Sequence, residues 1–391
     1  MTGIVILSAR RTAIGGFGGS LSGLAPSALA ATVTRAALAD AGVDPAAVGQ
    51  VVFGHVINTE PRDMYLSRVA MIEAGIPHQS AAMNVNRLCG SGAQAIVSAA
   101  QALALGEAEI AVAGGAEVMS RAPFALTSAR AGQKMGDTTA VDMMTGALTC
   151  PFGTGHMGVT AENVATEYGI SRADQDAFAL ESQTRAARAI AAGHFAGQIV
   201  PVALAGRRGT TLFDRDEHPK ATSAEALAGL RPAFRKDGSV TAGNASGIND
   251  GAAALVLAHE SAAARANLAP VARITGWAVA GVRPEIMGIG PVPAVEALLH
   301  RTGLAAADFD VIESNEAFAA QALAVNRSLG LDPAKVNPNG GAIALGHPVG
   351  ATGAILAVKA IHELRRAGGT RALVTMCIGG GQGIALSLEL V

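Results

Sequence analysis

The sequence predicts an α/β fold of more than one lobe with largely buried strands, and three observations support this prediction. Short runs rich in β-branched residues and bounded by glycine alternate with alanine-rich stretches of helical length. The chain has 391 residues, so two or three lobes with sizeable cores are expected. Half of the residues are apolar but only 3% are aromatic and 48 are glycine, which favours close packing of small side chains.

Eight segments are predicted as strands because each is a short apolar run with β-branched residues. They are 4 to 11, 50 to 56, 109 to 117, 253 to 259, 271 to 280, 309 to 316, 371 to 379 and 383 to 390. The alanine-rich segments between them are predicted as helices. These are 27 to 41, 92 to 105, 293 to 302, 317 to 329 and 351 to 367.

The stretch from about 120 to 245 differs from the rest, because it is richer in charged residues than the rest of the chain and holds scattered glycines and prolines. We interpret it as an inserted, loop-rich region with a few helices, whose surface could receive a large polar ligand or another subunit. The parts before and after it each contain a glycine-flanked cysteine, Cys89 and Cys377. This similar order of elements suggests two related α/β lobes that both contribute active residues.

Charge and terminal segments limit the partners and the location that we expect. The chain has 29 basic and 31 acidic residues and no basic block, which argues against nucleic acid as a partner. The first apolar run is too short for a signal peptide, no later stretch reaches about 18 apolar residues, and the last residues match no peroxisomal or retention signal. We therefore expect a soluble cytoplasmic protein that does not bind membranes.

Cys89 is the first candidate for chemistry, because a segment that can run as a strand precedes it and a helix begins near Ser91. A helix N-terminus carries unpaired amides and a partial positive charge, so it stabilises a thiolate and is expected to lower the pKa of this cysteine. Gly90, Ser91 and Gly92 are small enough to admit a substrate and to bring backbone amides near a developing oxyanion. These features predict a nucleophile.

Two other interpretations of this segment stay open at the sequence level. A lone cysteine is often a small buried hydrophobic residue. In addition, Gly90, Gly92 and Ala95 form a G-x-G-x-x-A pattern after a strand, with Glu117 about 20 residues further on, as in a dinucleotide-binding fingerprint. That second pattern leaves the cysteine unexplained and lies far from the N-terminus.

A nucleophilic cysteine needs a base, and His347 is the strongest candidate because glycine precedes it and a helix rich in glycine and alanine follows. The other eight histidines are weaker candidates for this base, and His218 is expected to be exposed or at a helix end. Cys377 ends a strand before the run IGGGQG, whose glycines would supply amide donors and access, or else a tight bend. Asn315 opens a helix, where it caps the helix or polarises a carbonyl. Cys150 has no comparable setting and is interpreted as structural.

Four motifs in this order resemble the thiolases, in particular acetyl-CoA acetyltransferases and short-chain bacterial β-ketothiolases: NRLCGSGAQA, NEAFAAQ, NPNGGAIALGHPVGATGA and CIGGGQGIA. The resemblance runs through nearly all of the chain. It implies a five-layered αβαβα fold of two similar halves with an inserted loop domain. The N-terminal half would comprise 1 to 119 and 246 to 269, the inserted domain 120 to 245, and the C-terminal half 270 to 391. A homotetramer is also implied.

The resemblance further implies reversible Claisen condensation of two acetyl-CoA molecules, or of acetyl-CoA and a short acyl-CoA, through an acyl-Cys89 intermediate with ping-pong kinetics. Acyl-CoA thioesters would be the substrates, and no cofactor or metal is implied. His347 would activate the nucleophile, and Cys377 would move the α-proton. Asn315, through a water and alongside His347, would form one oxyanion hole, and the amides of Cys89 and Gly379 the second. A degradative 3-ketoacyl-CoA thiolase of broader chain length is the alternative.

The same resemblance implies which residues bind coenzyme A or enclose the acyl group. They are His156, Met157, Lys220, Phe234, Ser246, Leu148, Met287 and Phe318. Arg207 or Arg208 would join Lys220 at the phosphates. A decarboxylating ketosynthase would instead need a second catalytic histidine at position 315 and would lack Cys377, so both positions argue against it. Fatty acid metabolism or polyhydroxyalkanoate biosynthesis would be the setting of the reaction.

Overall fold

Strands and helices alternate along the chain, as the sequence predicted. The computed structural model describes residues 3 to 207 and 209 to 391, so Arg208, one of the arginines considered for a phosphate contact, lies outside the described residues. The strands are β1 Ile4–Thr12, β2 Gly15–Gly16, β3 Gln50–Gly54, β4 Ala81–Val85, β5 Ile110–Val118, β6 Phe124–Ala125, β7 Val141–Asp142, β8 Thr149–Cys150, β9 Gly155–His156, β10 Ile199–Val200, β11 Val202–Gly206, β12 Gly209–Phe213, β13 Asn249–His259, β14 Ala272–Gly281, β15 Val311–Ser314, β16 Arg371–Ile378 and β17 Gln382–Leu390. The helices are α1 Pro26–Ala41, α2 Leu66–Glu73, α3 Ser91–Ala104, α4 Met143–Ala147, α5 Met157–Glu167, α6 Arg172–Ala191, α7 Ala224–Ala228, α8 Glu260–Arg265, α9 Pro291–Thr302, α10 Ala319–Ser328, α11 Ala342–Leu345 and α12 Thr352–Ala367.

Each predicted strand and helix is present, with small differences at the ends. The largest difference is at β13, which begins at Asn249 rather than at 253. Asn249 and Asp250 extend the strand because they pair with β2, and Asp250 also pairs with Val118 of β5. The sequence hides this extension, since two polar residues and a glycine do not look like a buried strand.

The central sheet follows the order β15-β16-β17-β14-β1-β13-β5-β3-β4. In addition, β2 pairs with β13, and β10 pairs with β1. Its two parts meet at β1 and β14, where only Val5 with Arg273 and Ile6 with Ala272 are in register. The first part, β4-β3-β5-β13-β1, is therefore joined to the second part, β14-β17-β16-β15, by a narrow seam. This arrangement of two sheet parts agrees with the two halves that the resemblance implied.

Helices and sheet parts form five layers. Residues of α3 and α12 share one core with the inward faces of both sheet parts. On the opposite face of the first part, α1 and α2 form a second core. On the opposite face of the second part, α9 forms a third. The order of layers is thus α1 and α2, first sheet part, α3 and α12, second sheet part, α9, which confirms the predicted αβαβα fold.

The two central helices touch near their N-termini through glycine. A Cβ atom at Gly353 of α12 would overlap the backbone nitrogen of Ala93, and one at Gly92 of α3 would lie 2.7 Å from the nitrogen of Ala354. Since Cβ atoms do not approach backbone this closely, each helix needs glycine at this point. The N-termini of α3 and α12, which follow Cys89 and His347, are consequently held side by side.

The segment between 120 and 245 contains the short ladders β6-β7, β8-β9 and β11-β12 and the helices α4 to α7. Its main element is α6, which spans 20 residues. The exact residue limits of the N-terminal half, the inserted domain and the C-terminal half stay a prediction. Among the described helices, none is both long and apolar enough to cross a membrane.

Candidate active site

One cavity of about 630 Å³ brings the predicted site residues together. Its walls come from the turn before α3, the loop before α12, the end of β16, and the segment between 120 and 245. The predicted residues in its lining are Cys89, Leu148, His156, Met157, Lys220, Phe234, Ser246, Met287, Phe318, His347, Cys377 and Gly379. Asn315 is not in the lining and lies directly behind His347. Arg207, at the β11-β12 turn, is exposed and does not line the cavity.

A tight turn presents Cys89 to the cavity. Leu88 has a positive φ of 47°, and the hydroxyl of Ser91 accepts from the amide of Arg87 at 2.9 Å and donates to the carbonyl of Leu88 at 2.6 Å. The backbone amides of Gly379 and of Cys89 itself face the sulfur. The thiol therefore lies at the end of an open space beside two amide donors rather than inside an apolar core.

The contacts of Gly92 and Glu117 exclude the dinucleotide-binding alternative. Gly92 packs against the start of α12, as described above, so it leaves no room for a pyrophosphate. The carboxylate of Glu117 is fully buried and accepts hydrogen bonds from the amides of Val56, Ile57 and Gly350. Because this carboxylate is occupied within the protein, it cannot bind a ribose.

The predicted lowering of the pKa of Cys89 is wrong for this resting site. Burial raises the pKa of the thiol to about 11, the amides of Gly379 and Cys89 lower it only in part, and the charge of Glu117 raises it further. Cys89 keeps some exposure toward the cavity, but desolvation of the site outweighs that exposure. The thiol is therefore neutral near neutral pH, and its proton must leave during attack.

Alkylation of Cys89 by iodoacetamide is expected to become about tenfold faster per pH unit from about pH 7 to about pH 10, because only the thiolate reacts and its fraction rises toward the raised pKa. Mass spectrometry of the digested protein separates this site from Cys150 and Cys377. A rate that levels off by about pH 8 would show instead that the helix N-terminus dominates over desolvation.

Hydrogen bonds to two residues, Asn249 and Thr352, fix the position of His347. Its backbone amide donates to Asn249 Oδ1 at 2.9 Å, and Gly346 must be glycine there, since φ is +106° and a Cβ would lie 2.5 Å from Asn249 Cγ. The hydroxyl of Thr352 donates to the carbonyl of Pro348 at 2.9 Å, so it accepts from His347 Nδ1 at 2.7 Å.

This hydrogen-bond chain leaves Nε2 of His347 with a free lone pair. Nε2 lies 3.4 Å from Nδ2 of Asn315, which is a donor and matches that tautomer. Burial lowers the pKa of His347 to about 4, so the ring is neutral near neutral pH. A neutral imidazole with an open Nε2 at the cavity wall can accept a proton.

Asn315 is completely buried, and its backbone N–H donates to the carbonyl of Thr375 at 3.0 Å. Its side-chain oxygen has no hydrogen-bond partner among the described residues. A buried amide oxygen normally has one. The side chain is thus placed to hold a further polar group beside Nε2 of His347.

Cys377 is 1% exposed and ends β16 at the cavity. Burial raises the pKa of its thiol, and negative charge on Cys89 would raise it further, which reflects the proximity of the two sulfurs. The turn that follows needs glycine, because φ is +82° at Gly380 and +92° at Gly381. The resting Cys377 is consequently a protonated thiol that can give up a proton.

Aromatic rings form the wall that leads away from the sulfurs. His156 stacks on Phe234 with ring centroids 4.8 Å apart, and Phe234 meets Phe318 edge to face at 6.1 Å. A Cβ at Gly158 would overlap the ring of Phe234. Cys150 is buried in the same apolar cluster and does not line the cavity, in keeping with a structural residue.

The sequence did not predict several residues of this site. Thr352 and Asn249 orient His347. Thr352 stands in the third quoted motif and Asn249 outside the four motifs, and spacing does not reveal that either one contacts His347. Glu217 and His218 line the cavity. The expectation that His218 is exposed or at a helix end is wrong, because it is half-buried there and burial lowers its pKa to about 4.

Comparison with known proteins agrees with this geometry. Residues 4–261 match the model of the thiolase N-terminal domain, and residues 268–390 match that of the thiolase C-terminal domain. The chain is 59% identical to beta-ketothiolase BktB of Cupriavidus necator, with 99% of each covered. It is 51% identical to an acetyl-CoA acetyltransferase of Escherichia coli, covering 100% of this chain and 99% of that protein.

A solved structure of human mitochondrial 3-ketoacyl-CoA thiolase in complex with CoA superposes with a TM-score of 0.96. It is 44% identical and covers 99% of this chain and 98% of the human chain. The fold is therefore shared along nearly the whole length of both chains.

Proposed function

The chain belongs to the thiolase family and is an acyltransferase, and we propose that it catalyses the reversible Claisen condensation of two acetyl-CoA molecules, or of acetyl-CoA and a short acyl-CoA. The products are a 3-oxoacyl-CoA and coenzyme A. The observation that carries the proposal is the meeting of two neutral thiols and one neutral imidazole in a single cavity.

In thiolysis, the first step joins the sulfur of Cys89 to the 3-oxo carbon of the substrate while its proton passes to Nε2 of His347. Because the pKa of the thiol is raised, this transfer accompanies attack instead of preceding it. The amides of Cys89 and Gly379, which already face the sulfur, are placed to donate to the resulting oxyanion.

The second step breaks the bond between carbons 2 and 3 and leaves the acyl group on Cys89. The departing carbon carries the electron pair as the enolate of acetyl-CoA, and the thiol of Cys377 protonates that carbon. Asn315, a water held by its unpaired oxygen and protonated His347 would stabilise the enolate oxygen. The raised pKa of Cys377 keeps available the proton that this step consumes.

In the last step, coenzyme A enters and gives its thiol proton to the thiolate of Cys377. Its sulfur attacks the acyl carbon, and Cys89 leaves and recovers its proton from His347. Every group returns to its starting protonation state, so the cycle balances. Splitting the reaction at an acyl-enzyme gives ping-pong kinetics, and the reverse sequence of steps is the condensation.

The pantetheine arm of the substrate would run along the aromatic wall of His156 and Phe234, past Met157 and Ser246. Lys220 lies in the cavity lining, where its ammonium could meet a phosphate. The bound CoA in the human relative is consistent with such a groove. We propose these residues as the coenzyme A contacts.

Replacing Gly158 by alanine should raise the KM for acetoacetyl-CoA about tenfold while kcat changes by less than about threefold. The added methyl group must displace the ring of Phe234, which changes the wall of the proposed coenzyme A groove but does not move Cys89 or Cys377. Gly146→Ala is the matched control, since nothing lies within 4 Å of a Cβ there. Unchanged KM in Gly158→Ala would exclude Phe234 from the binding site.

Chain length can be tested by comparing kcat/KM for thiolysis of acetoacetyl-CoA, 3-oxovaleryl-CoA and longer 3-oxoacyl-CoAs. We propose that Leu148, Met157, Met287 and Phe318, which line the cavity, enclose a short acyl chain. We expect the two short substrates to be preferred. A kcat/KM that rises with chain length would favour the alternative of a broader degradative thiolase.

Several further features are proposed because the chain belongs to the thiolase family. They are a homotetramer, a cytoplasmic location, the use of no cofactor, and a place in fatty acid metabolism or polyhydroxyalkanoate biosynthesis. Light scattering coupled to size-exclusion chromatography tests the first. Activity of protein dialysed against a chelator tests for a metal requirement.

A further inference from the structure

We infer that Glu316 is a positioning residue whose buried carboxylate fixes the loop of Asn315 against the loop of His347 and connects both loops to helix α6. The inference deepens the proposed function and rests on it, because Asn315 and His347 are the groups that it positions. Glu316 is 2% exposed and does not line the catalytic cavity, so it does not touch the substrate.

The carboxylate of Glu316 joins three parts of the chain. Oε1 accepts from Nδ2 of Asn337 at 2.8 Å. Oε2 accepts from the hydroxyl of Ser182 on α6 at 2.6 Å and from the amide of Ile343 at 3.3 Å. One side chain thus bonds to the loop before His347 at two points and to α6 at a third.

Asn337 completes the connection on the other side. Its amide oxygen accepts from the backbone nitrogen of Ser314 at 2.9 Å, and its amide nitrogen donates to the carbonyl of Ser314 at 2.8 Å. Ser314 directly precedes Asn315. The backbone that carries Asn315 is therefore clamped to the segment that leads to His347.

The paired glycines before His347 are explained by this contact. A Cβ at Gly341 would overlap the carboxylate of Glu316. Gly340 has a φ of +79°, and a Cβ there would lie 2.7 Å from the carbonyl of Ser182. The amide of Gly341 also donates to the hydroxyl of Ser182 at 3.1 Å. The His347 loop thus lies directly on Glu316 and on α6.

These contacts matter because Asn315 and His347 have only a long contact with each other, 3.4 Å between Nδ2 and Nε2. Such a contact does not hold two loops in register by itself. The stronger bonds through Glu316, Asn337 and Ser182 set the separation, and a small error in it weakens the stabilisation of an oxyanion.

The test measures kcat and KM for acetoacetyl-CoA thiolysis in Glu316→Gln and Ser182→Ala. We expect kcat to fall about 30-fold and about tenfold, respectively, with KM within about threefold of the parent. If Glu316→Gln fails to fold, Ser182→Ala tests the inference in its place. Thr184→Ala on the same helix is the control, because among residues 3 to 207 and 209 to 391 that hydroxyl bonds only to the carbonyl of Leu180, so the substitution should leave kcat unchanged.

A second arm separates positioning from general stability. In an Asn315→Ala background, adding Glu316→Gln should lower kcat by less than about threefold more, because the group being positioned is gone. The inference would be overturned if Glu316→Gln lowered kcat in the Asn315→Ala background as much as it does in the parent. It would also be overturned if only KM changed, or if both single variants kept the kcat of the parent. Cys89→Ala is measured in parallel: if it stays active, the proposed function fails, whereas an inactive Cys89→Ala with active Glu316→Gln rejects only the role of Glu316.

Discussion

Cys89→Ala is expected to lower kcat for acetoacetyl-CoA thiolysis by about four orders of magnitude or more, because no acyl-enzyme can form. Cys89 lines the cavity beside its own amide and that of Gly379, and His347 is the neutral base of the same cavity. Removing one sulfur at a partly exposed position should leave the fold intact, which circular dichroism and the thermal midpoint will show.

Cys150→Ala is the matched control for this loss. Cys150 is buried and outside the lining of the cavity, so its removal should lower kcat by less than about threefold. If Cys89→Ala kept more than about a hundredth of the parent kcat, another nucleophile would have to be found.

Cys377→Ala is expected to separate the two halves of the reaction. Thiolysis should fall by about three orders of magnitude, because the thiol that protonates the departing carbon is missing. In transfer of the acetyl group from acetyl-CoA to Cys89, His347 can take the proton of Cys89 and pass it to the departing sulfur of coenzyme A when Cys377 is absent. Exchange of labelled coenzyme A with acetyl-CoA should therefore stay within about tenfold of the parent.

The two assays together decide the role of Cys377. Equal losses of thiolysis and of exchange would mean that this thiol serves acyl transfer or the structure of the site in general. Parent-like thiolysis would remove it from the mechanism. A loss confined to the carbon–carbon step is the result that the proposed mechanism requires.

The sequence predicted the fold and the reacting groups because both depend on local signals. Alternation of apolar strands and alanine-rich helices placed the elements to within a few residues. Cys89, His347 and Cys377 each stand next to glycines at the end of an element, a setting that exposes a side chain. The α/β topology then brings those ends together at one cavity.

The pKa of Cys89 could not be predicted in the same way. The helix N-terminus is a local feature that lowers the pKa of a thiol, but desolvation depends on the packing of two halves and the segment between 120 and 245. That packing raises the pKa to about 11. Tertiary burial thus outweighs the local electrostatic effect of the helix N-terminus.

The partners of His347 and Glu316 were equally hidden. Asn249 accepts a hydrogen bond from the backbone amide of His347 and lies 98 residues before it in the sequence. Ser182 bonds to Glu316 across a separation of 134. Spacing within a motif does not report such pairs, so the sequence suggested reactive residues without the groups that orient them.

The most direct test of the account is the identity of the acylated residue. The protein is incubated with acetyl-CoA alone, quenched in acid and digested, and the peptides are analysed by mass spectrometry. We expect one acetyl group on the sulfur of Cys89, still present in Cys377→Ala and absent in Cys89→Ala. An acetyl group on Cys377 or Cys150 instead, or turnover with no acetylated cysteine, would contradict it.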